Sequence, residues 1–484
     1  MKPISIPVNK SFVGRKTELE RLHKIAASKE ASIIVMYGRR RIGKTELLEQ
    51  AFRERNLLKF EGIEGLPQQL QFANVLSQLA KYTRKPSLAQ KIVSSWNEFF
   101  QMLASYVQKG EWTVYFEEVQ WLAQYESTFV SELKYVWDNY FRRNPNLVLI
   151  LCGSAPSFML KEVVHSKALY NRSQHEFHLK ELSVIEVRQF LKRRSDREAL
   201  DLYLTLGGVP EYLKWVSKGS SIFLGLCAQS FTPGSFFSCE YERIFTSSLS
   251  QNKHYRKVIE ILSNKRFASR KDLMSFLKTS SGGSLSDVLL DLEQSGFIER
   301  YVPFYLGEKS MLSRYAISDN YLQYYWKFIH PLQKNIASGA YVKRPYDALR
   351  VDSYMKWLGF SFERFCRKFH FVIATILRFS GVHYRSGAFF SKATEEENAG
   401  YQMDLVFDRA DHVYTVCEIK YMQGKVGVGV IRELQRKLDL FPNPSGKTIH
   451  KVLICNEGAE ESLLNRSYFD EVITAQDLLD PRNW

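Results

Sequence analysis

The sequence predicts an α/β protein of several domains, and three observations carry that reading. Residues 11–180 alternate apolar runs with amphipathic stretches, the pattern of a parallel sheet covered by helices. Within them Gly38-Arg39-Arg40-Arg41-Ile42-Gly43-Lys44-Thr45 forms a glycine-bounded loop between an apolar run and a helix former. After a long helical stretch, residues 351–484 return to strand-rich α/β sequence. A chain of 484 residues has room for roughly two to four domains. Its hydrophobic residues, 45% of the total, suffice to build their cores.

Residues 11–30 read as a lead-in with a helix through Leu19, Leu22 and Ile25. Residues 31–37 are β-branched and apolar, a buried strand, and 46–52 favour a helix. The loop between them reads G-x-x-x-x-G-K-T, which cradles phosphate when it joins a strand to a helix. Glycines let the backbone wrap close to phosphate, and the N–H groups at the helix start stabilise negative charge. The spacing predicts that Gly38, Arg39, Arg40, Arg41, Ile42, Gly43, Lys44 and Thr45 bind ATP. Lys44 reaches the β- and γ-phosphates, and the Thr45 hydroxyl is a ligand for Mg2+.

Further strands are expected at 112–117, 147–152 and 175–180. The first ends in Glu117-Glu118, where an ATPase places a magnesium-coordinating acid and then a water-activating acid. Glu117 takes the metal side and Glu118 the role of general base or water positioner. Aspartate is usual at the first position, and glutamate is one methylene longer, so the magnesium shell must shift or be met through water. Ser154, after the 147–152 strand, fits two roles, a γ-phosphate sensor and a strand-to-turn cap. Arg172 likewise reads either as an arginine finger acting across a subunit interface or as a solvated arginine.

These motifs, with Phe12–Glu20 and the Gly207–Leu213 run, occur in an order that resembles the archaeal-type P-loop ATPases, relatives of the AAA+/STAND group. The resemblance covers roughly the first 240 residues. Family members usually have Asp-Glu at Glu117-Glu118 and Gly at Asn171. The resemblance implies an ATPase core over 1–180 and a helical lid over 181–240, and in many members a C-terminal extension similar to restriction-endonuclease-like nucleases.

Residues 241–330 carry three amphipathic helices, 254–262, 269–277 and 285–293, then a hairpin from 297–302 and 314–318. That is the plan of a winged helix-turn-helix. Helix 285–293 is acidic at Asp287, Asp291 and Glu293, which weighs against strong base reading and for protein packing. If DNA is touched, Lys271, Ser281, Ser284 and Ser286 are the contacts to propose. A helical connector is expected over 331–350.

In 351–484, strands 401–407 and 413–420 read as a hairpin turning near Ala410, with a further strand at 450–456. Asp404 then falls near Val416, and Glu418 and Lys420 share its face. This D…E-x-K spacing resembles the PD-(D/E)xK nuclease core, with Met403 where a proline is common and Glu363 as the upstream acid. Glu363, Asp404 and Glu418 would hold magnesium, and Lys420 would stabilise extra charge or position water. Gln435 lies on a following helix within reach of a nucleic-acid backbone.

The net charge of +15 suits a polyanionic partner, nucleic acid foremost. The six cysteines are scattered with no C-x-x-C pair, which disfavours a zinc site or a disulfide framework and fits a reducing cytoplasm. No stretch approaches the ~20 apolar residues of a membrane span. The expectation is an ATPase that acts on DNA, with nucleotide state gating a magnesium-dependent C-terminal nuclease and possible self-assembly through the ATPase domain. Two alternatives stay open: a non-cutting ATP switch, as in a regulator or defence sensor, and a nucleotide-dependent protein scaffold.

Overall fold

The computed structural model describes residues 6–169, 174–247, 254–265, 267–278, 282–304, 312–391 and 400–484. The N-terminal sheet contains β1 (Ser32–Tyr37), β2 (Asn56–Glu61), β3 (Trp112–Glu117), β4 (Leu147–Gly153) and β5 (Gln174–His178). Their order is β2-β3-β4-β1-β5 and every pairing is parallel. Both faces are covered, so β1, β3 and β4 are buried along their whole length and are predominantly apolar. Ile33, Val35 and Tyr37 enter one core with Phe72, Phe99 and Phe100, while Ile34 and Met36 enter the other with Leu22, Leu47 and Phe52. The edge strand β2 escapes the sequence reading because Asn56 and Lys59 interrupt its apolar run.

Five helices follow: Val184–Phe190, Asp196–Leu206, Pro210–Val216, Ile222–Ser230 and Phe236–Ser247. Gly208 is required at their turn, since a Cβ there would stand 1.8 Å from the Leu182 carbonyl oxygen. Next come helices His254–Asn264, Arg270–Leu277 and Gly282–Gln294 with β6 (Ala268–Ser269), β7 (Ile298–Tyr301) and β8 (Arg314–Ile317). These strands form an antiparallel sheet of order β6-β8-β7. A reciprocal cap between Ser269 and Asp272 starts the middle helix. The connector expected to be helical over 331–350 is α-helical only at Gln333–Ala337, with short 3₁₀ turns at His330–Leu332 and Pro345–Ala348. Prolines at the starts of those turns fit them to helix beginnings rather than to a continuous helix.

The C-terminal sheet has order β13-β12-β11-β10-β9: β9 (Tyr384–Ser391), β10 (Tyr401–Arg409), β11 (Val413–Lys420), β12 (Thr448–Cys455) and β13 (Glu471–Thr474). The pairs among β9, β10 and β11 are antiparallel, and those among β11, β12 and β13 are parallel. Helix Val351–Lys368 packs on one face through Leu358, Phe362 and Phe365. Helix Gly429–Asp439 packs on the other through Val430 and Leu434. Buried apolar residues run in one cluster from Leu182 through the middle helices to Leu479, so this sheet shares its core with helix Asp196–Leu206.

Candidate functional site

The first candidate site lies at the carboxyl ends of β1, β3 and β4. Open parallel sheets bind ligands outside these strand ends, where the strand order reverses. Gly43 (φ 87°) and Arg41 (φ 69°) adopt left-handed backbone in the loop that follows β1, and helix Lys44–Phe52 starts directly after it. Lys44 is buried, and its Nζ donates to the carbonyls of Gly38 (2.8 Å) and Arg39 (2.9 Å). The Thr45 hydroxyl donates to Glu117 Oε1. Lys59 Nζ lies 2.5 Å from Glu117 Oε2. Burial disfavours the Lys59 ammonium, but Glu117 more than offsets this and its pKa is raised. Lys59 was not legible as a site residue, because it looks like an ordinary charge on an edge strand.

Glu118, left-handed at φ 52°, turns out of β3. Its Oε2 accepts from Ser154 Oγ (2.7 Å) and from Gln120 Nε2 (2.6 Å), and Gln120 also donates to Ser154 (3.1 Å). The expected Glu118 and Ser154 therefore meet, and buried Gln120 joins them unforeseen. Arg172, Asn171 and Ser281 lie outside the described residues, as does the side chain of Ser284.

The loop arginines face other protein groups. Arg39 pairs with Asp319 and donates to the Tyr212 hydroxyl (3.2 Å), Arg41 pairs with Glu240 (2.9 Å), and Arg40 lies over the Trp121 ring.

Helix Gly282–Gln294 presents its acids to the ATPase sheet's own connections. Asp291 is buried and accepts from the Ser157 N–H (3.0 Å) and from the Tyr255 hydroxyl, while Asp287 pairs with Lys161 (2.7 Å). Of the acidic face read from sequence, Asp291 is therefore a docking group within the chain, while Asp287 makes its ion pair at the surface. Lys271 and Ser286 are exposed, and Ser286 accepts from Arg270 (2.8 Å).

The second candidate site is on the C-terminal sheet. The hairpin turns around Asp411 rather than Ala410, because β10 runs on to Arg409 and His412 takes a left-handed φ of 64° to close the loop. Val406, not Asp404, therefore faces Val416, and Leu405 faces Cys417. Continuing that register by one residue sets Asp404 against Glu418, a closer juxtaposition than the sequence reading. A register shift in β10 between Met403 and Val406 breaks its pairing with β9 around Asp404.

Asp404 Oδ2 accepts from the Ile419 N–H (3.0 Å). Burial, then Glu418 and Glu363, push its pKa up to about 7. Glu418 is 1% exposed and pairs with Lys420 (3.0 Å) and with Lys437 (2.8 and 3.0 Å). Burial works against the Lys420 ammonium, but Glu418 and Glu433 outweigh it and raise its pKa. Glu363 accepts from Gln402 (3.3 Å) and pairs with Arg367 (3.4 Å). Lys437 was missed because, four residues after Glu433, it reads as a surface helix pair. Gln435 does not join the cluster, since it donates to Asp439 (2.7 Å) and accepts from Tyr468 (2.8 Å). Among the described residues no three His, Cys, Asp or Glu side chains are grouped so as to hold a metal ion as they stand.

The loop, its lysine and hydroxyl, and the carboxylates at the end of β3 define the class: a P-loop nucleotide-binding fold. Residues 12–216 match a family described as an ATPase domain predominantly from Archaea, so the chain carries an archaeal-type ATPase domain. An uncharacterized protein of Methanocaldococcus jannaschii is 25% identical over 363 residues, covering 74% of this chain and 77% of that protein. An uncharacterized ATP-binding protein of the same organism is 41% identical over 46 residues, 10% of this chain and 78% of that protein. A Walker-type ATPase of Pyrococcus abyssi superposes with a TM-score of 0.48 at 15% identity, over 68% of this chain and 99% of its own. No helix among the described residues is long and apolar enough to cross a membrane.

Proposed function

We propose that this protein binds and hydrolyses ATP and acts on DNA, with nucleotide state gating a magnesium-dependent nuclease centre on the C-terminal sheet. The observation that carries the nuclease reading is the meeting of Asp404, Glu418 and Lys420 beside Glu363, with the Asp404 carboxyl lifted to about 7. Clustered buried carboxylates repel one another, and a hard cation with oxygen ligands relieves that repulsion. Thr45 and Glu117 fit a second such cation, since a hydroxyl and a carboxylate already touch. Magnesium held by these groups would neutralise phosphate oxygens and lower the pKa of bound water.

The chain's own groups divide the remaining work. Lys44 and the loop N–H groups take the ATP phosphates. Glu118, held by Ser154 and Gln120, orients the attacking water and receives its proton. At the second centre Lys420 stabilises charge on the scissile phosphate. The helices after residue 181 act as a lid, residues 241–330 as a winged helix, and residues 351–484 as the nuclease-like unit. Cleavage of single- and double-stranded DNA with magnesium, with and without ATP, tests the proposal. Lys420→Ala is expected to abolish cutting while ATP turnover persists. Cutting that survives Lys420→Ala refutes the assigned centre.

A second reading, a non-cutting nucleotide switch, is favoured by one observation: both Glu418 oxygens are already held by lysine Nζ. In that case ATP binds, and no magnesium condition yields cleavage.

A further inference from the structure

Asp319 and Glu240, the carboxylates that hold Arg39 and Arg41, come from outside residues 12–216, the span matched to the ATPase family. Asp319 Oδ2 engages Arg39, while its Oδ1 accepts from the Leu322 N–H (2.6 Å) and caps helix Asn320–Tyr324. The Tyr212 hydroxyl accepts from Arg39 and donates to Glu240 Oε1 (2.9 Å). Glu240 Oε2 then meets Arg41. The result is one chain of contacts, Asp319–Arg39–Tyr212–Glu240–Arg41, in which Asp319, Tyr212 and Glu240 are 5%, 1% and 2% exposed. The Arg39 guanidinium also lies 4.7 Å from the centre of the Phe297 ring.

The backbone gives this chain a purpose. Arg41 sits in left-handed conformation (φ 69°), which a residue with a Cβ resists. A buried carboxylate partner for its guanidinium offsets that cost and holds the loop open between Gly38 and Gly43. We infer that Asp319 and Glu240 are positioning residues for nucleotide binding, acting through Arg39 and Arg41 to keep the loop N–H groups set for phosphate. The inference rests on ATP binding at this loop. Its consequence is reciprocal: whatever displaces the segment around Asp319 weakens ATP binding, and ATP resists that displacement by the same factor.

The test is calorimetric ATP titration of the full chain, unaltered and as Asp319→Asn, Tyr212→Phe and Lys44→Ala. Asp319→Asn keeps an oxygen for the Leu322 cap and removes the charge. Its ATP dissociation constant is expected to rise about tenfold or more, the loss of one charge-assisted contact. Tyr212→Phe, which deletes only the relay hydroxyl, is expected to show a smaller rise in the same direction. Both should raise KM for ATP by more than they lower kcat. Unchanged ATP affinity in folded variants overturns the inference, because a purely structural contact shifts thermal unfolding without nucleotide and nothing else. If Asp319→Asn does not fold, Tyr212→Phe decides. Failure of the nucleotide reading looks different: the unaltered protein takes up no more ATP than Lys44→Ala, and both claims fall.

Discussion

Glu118→Gln is the sharpest test of the assigned chemistry. Both the Ser154 hydroxyl and the Gln120 amide donate to the same carboxylate oxygen, Oε2, at 2.7 and 2.6 Å. A glutamine must keep its carbonyl oxygen there, since its NH2 would meet two donors. The amide NH2 then takes the other oxygen's place, and a group able to accept a proton becomes a donor. The volume and both hydrogen bonds survive, so the change is confined to proton acceptance. General-base assistance is worth roughly 10²–10⁴ in rate, so kcat should fall at least about a hundredfold, or ~2.7 kcal/mol of barrier. The assay is steady-state phosphate release with ATP affinity measured in parallel. A kcat within about threefold of the unaltered protein refutes the base assignment.

Two further outcomes follow from buried charge. Lys437→Met leaves the Glu418 carboxylate, 1% exposed, with Lys420 as its remaining ionic partner. Breaking a buried pair costs about 3–5 kcal/mol, which should appear as faster hydrogen exchange in β11 and β12; unchanged exchange there would refute it. Asp291→Ala strips acceptors from the Ser157 N–H and the Tyr255 hydroxyl. At about 1–3 kcal/mol per orphaned group, exchange should quicken in helix Gly282–Gln294 and around Ser157, and not in β10 or β11.

Much of the N-terminal architecture was legible because period and spacing are local. The run 31–37 is apolar at every position but Ser32, so it reads as a strand buried on both faces, and β1 is one. β2 was lost because its polar residues have tertiary partners: Lys59 points to Glu117, which no periodicity reveals. The E-x-K pair announced a shared strand face, but a one-residue misplacement of the turn, which moves the facing residue by two, hid how directly Asp404 meets Glu418. The loop length around His412 depended on a left-handed residue that sequence alone did not single out.

By itself the sequence determined the glycine-bounded loop between β1 and its helix, the strands β1, β3 and β4, and the paired acids at the end of β3, since each depends on neighbours in the chain. Only the tertiary structure decided what the charges do. Arg39 and Arg41 meet carboxylates 280 and 199 residues away, counting from Arg39 to Asp319 and from Arg41 to Glu240. Lys437 crosses from a helix to neutralise Glu418. Asp291 of helix Gly282–Gln294 turns inward to Ser157. A charged side chain has the same local signature exposed or buried, and its partner is set by packing between distant elements, because a buried charge is tolerated only where another group compensates it.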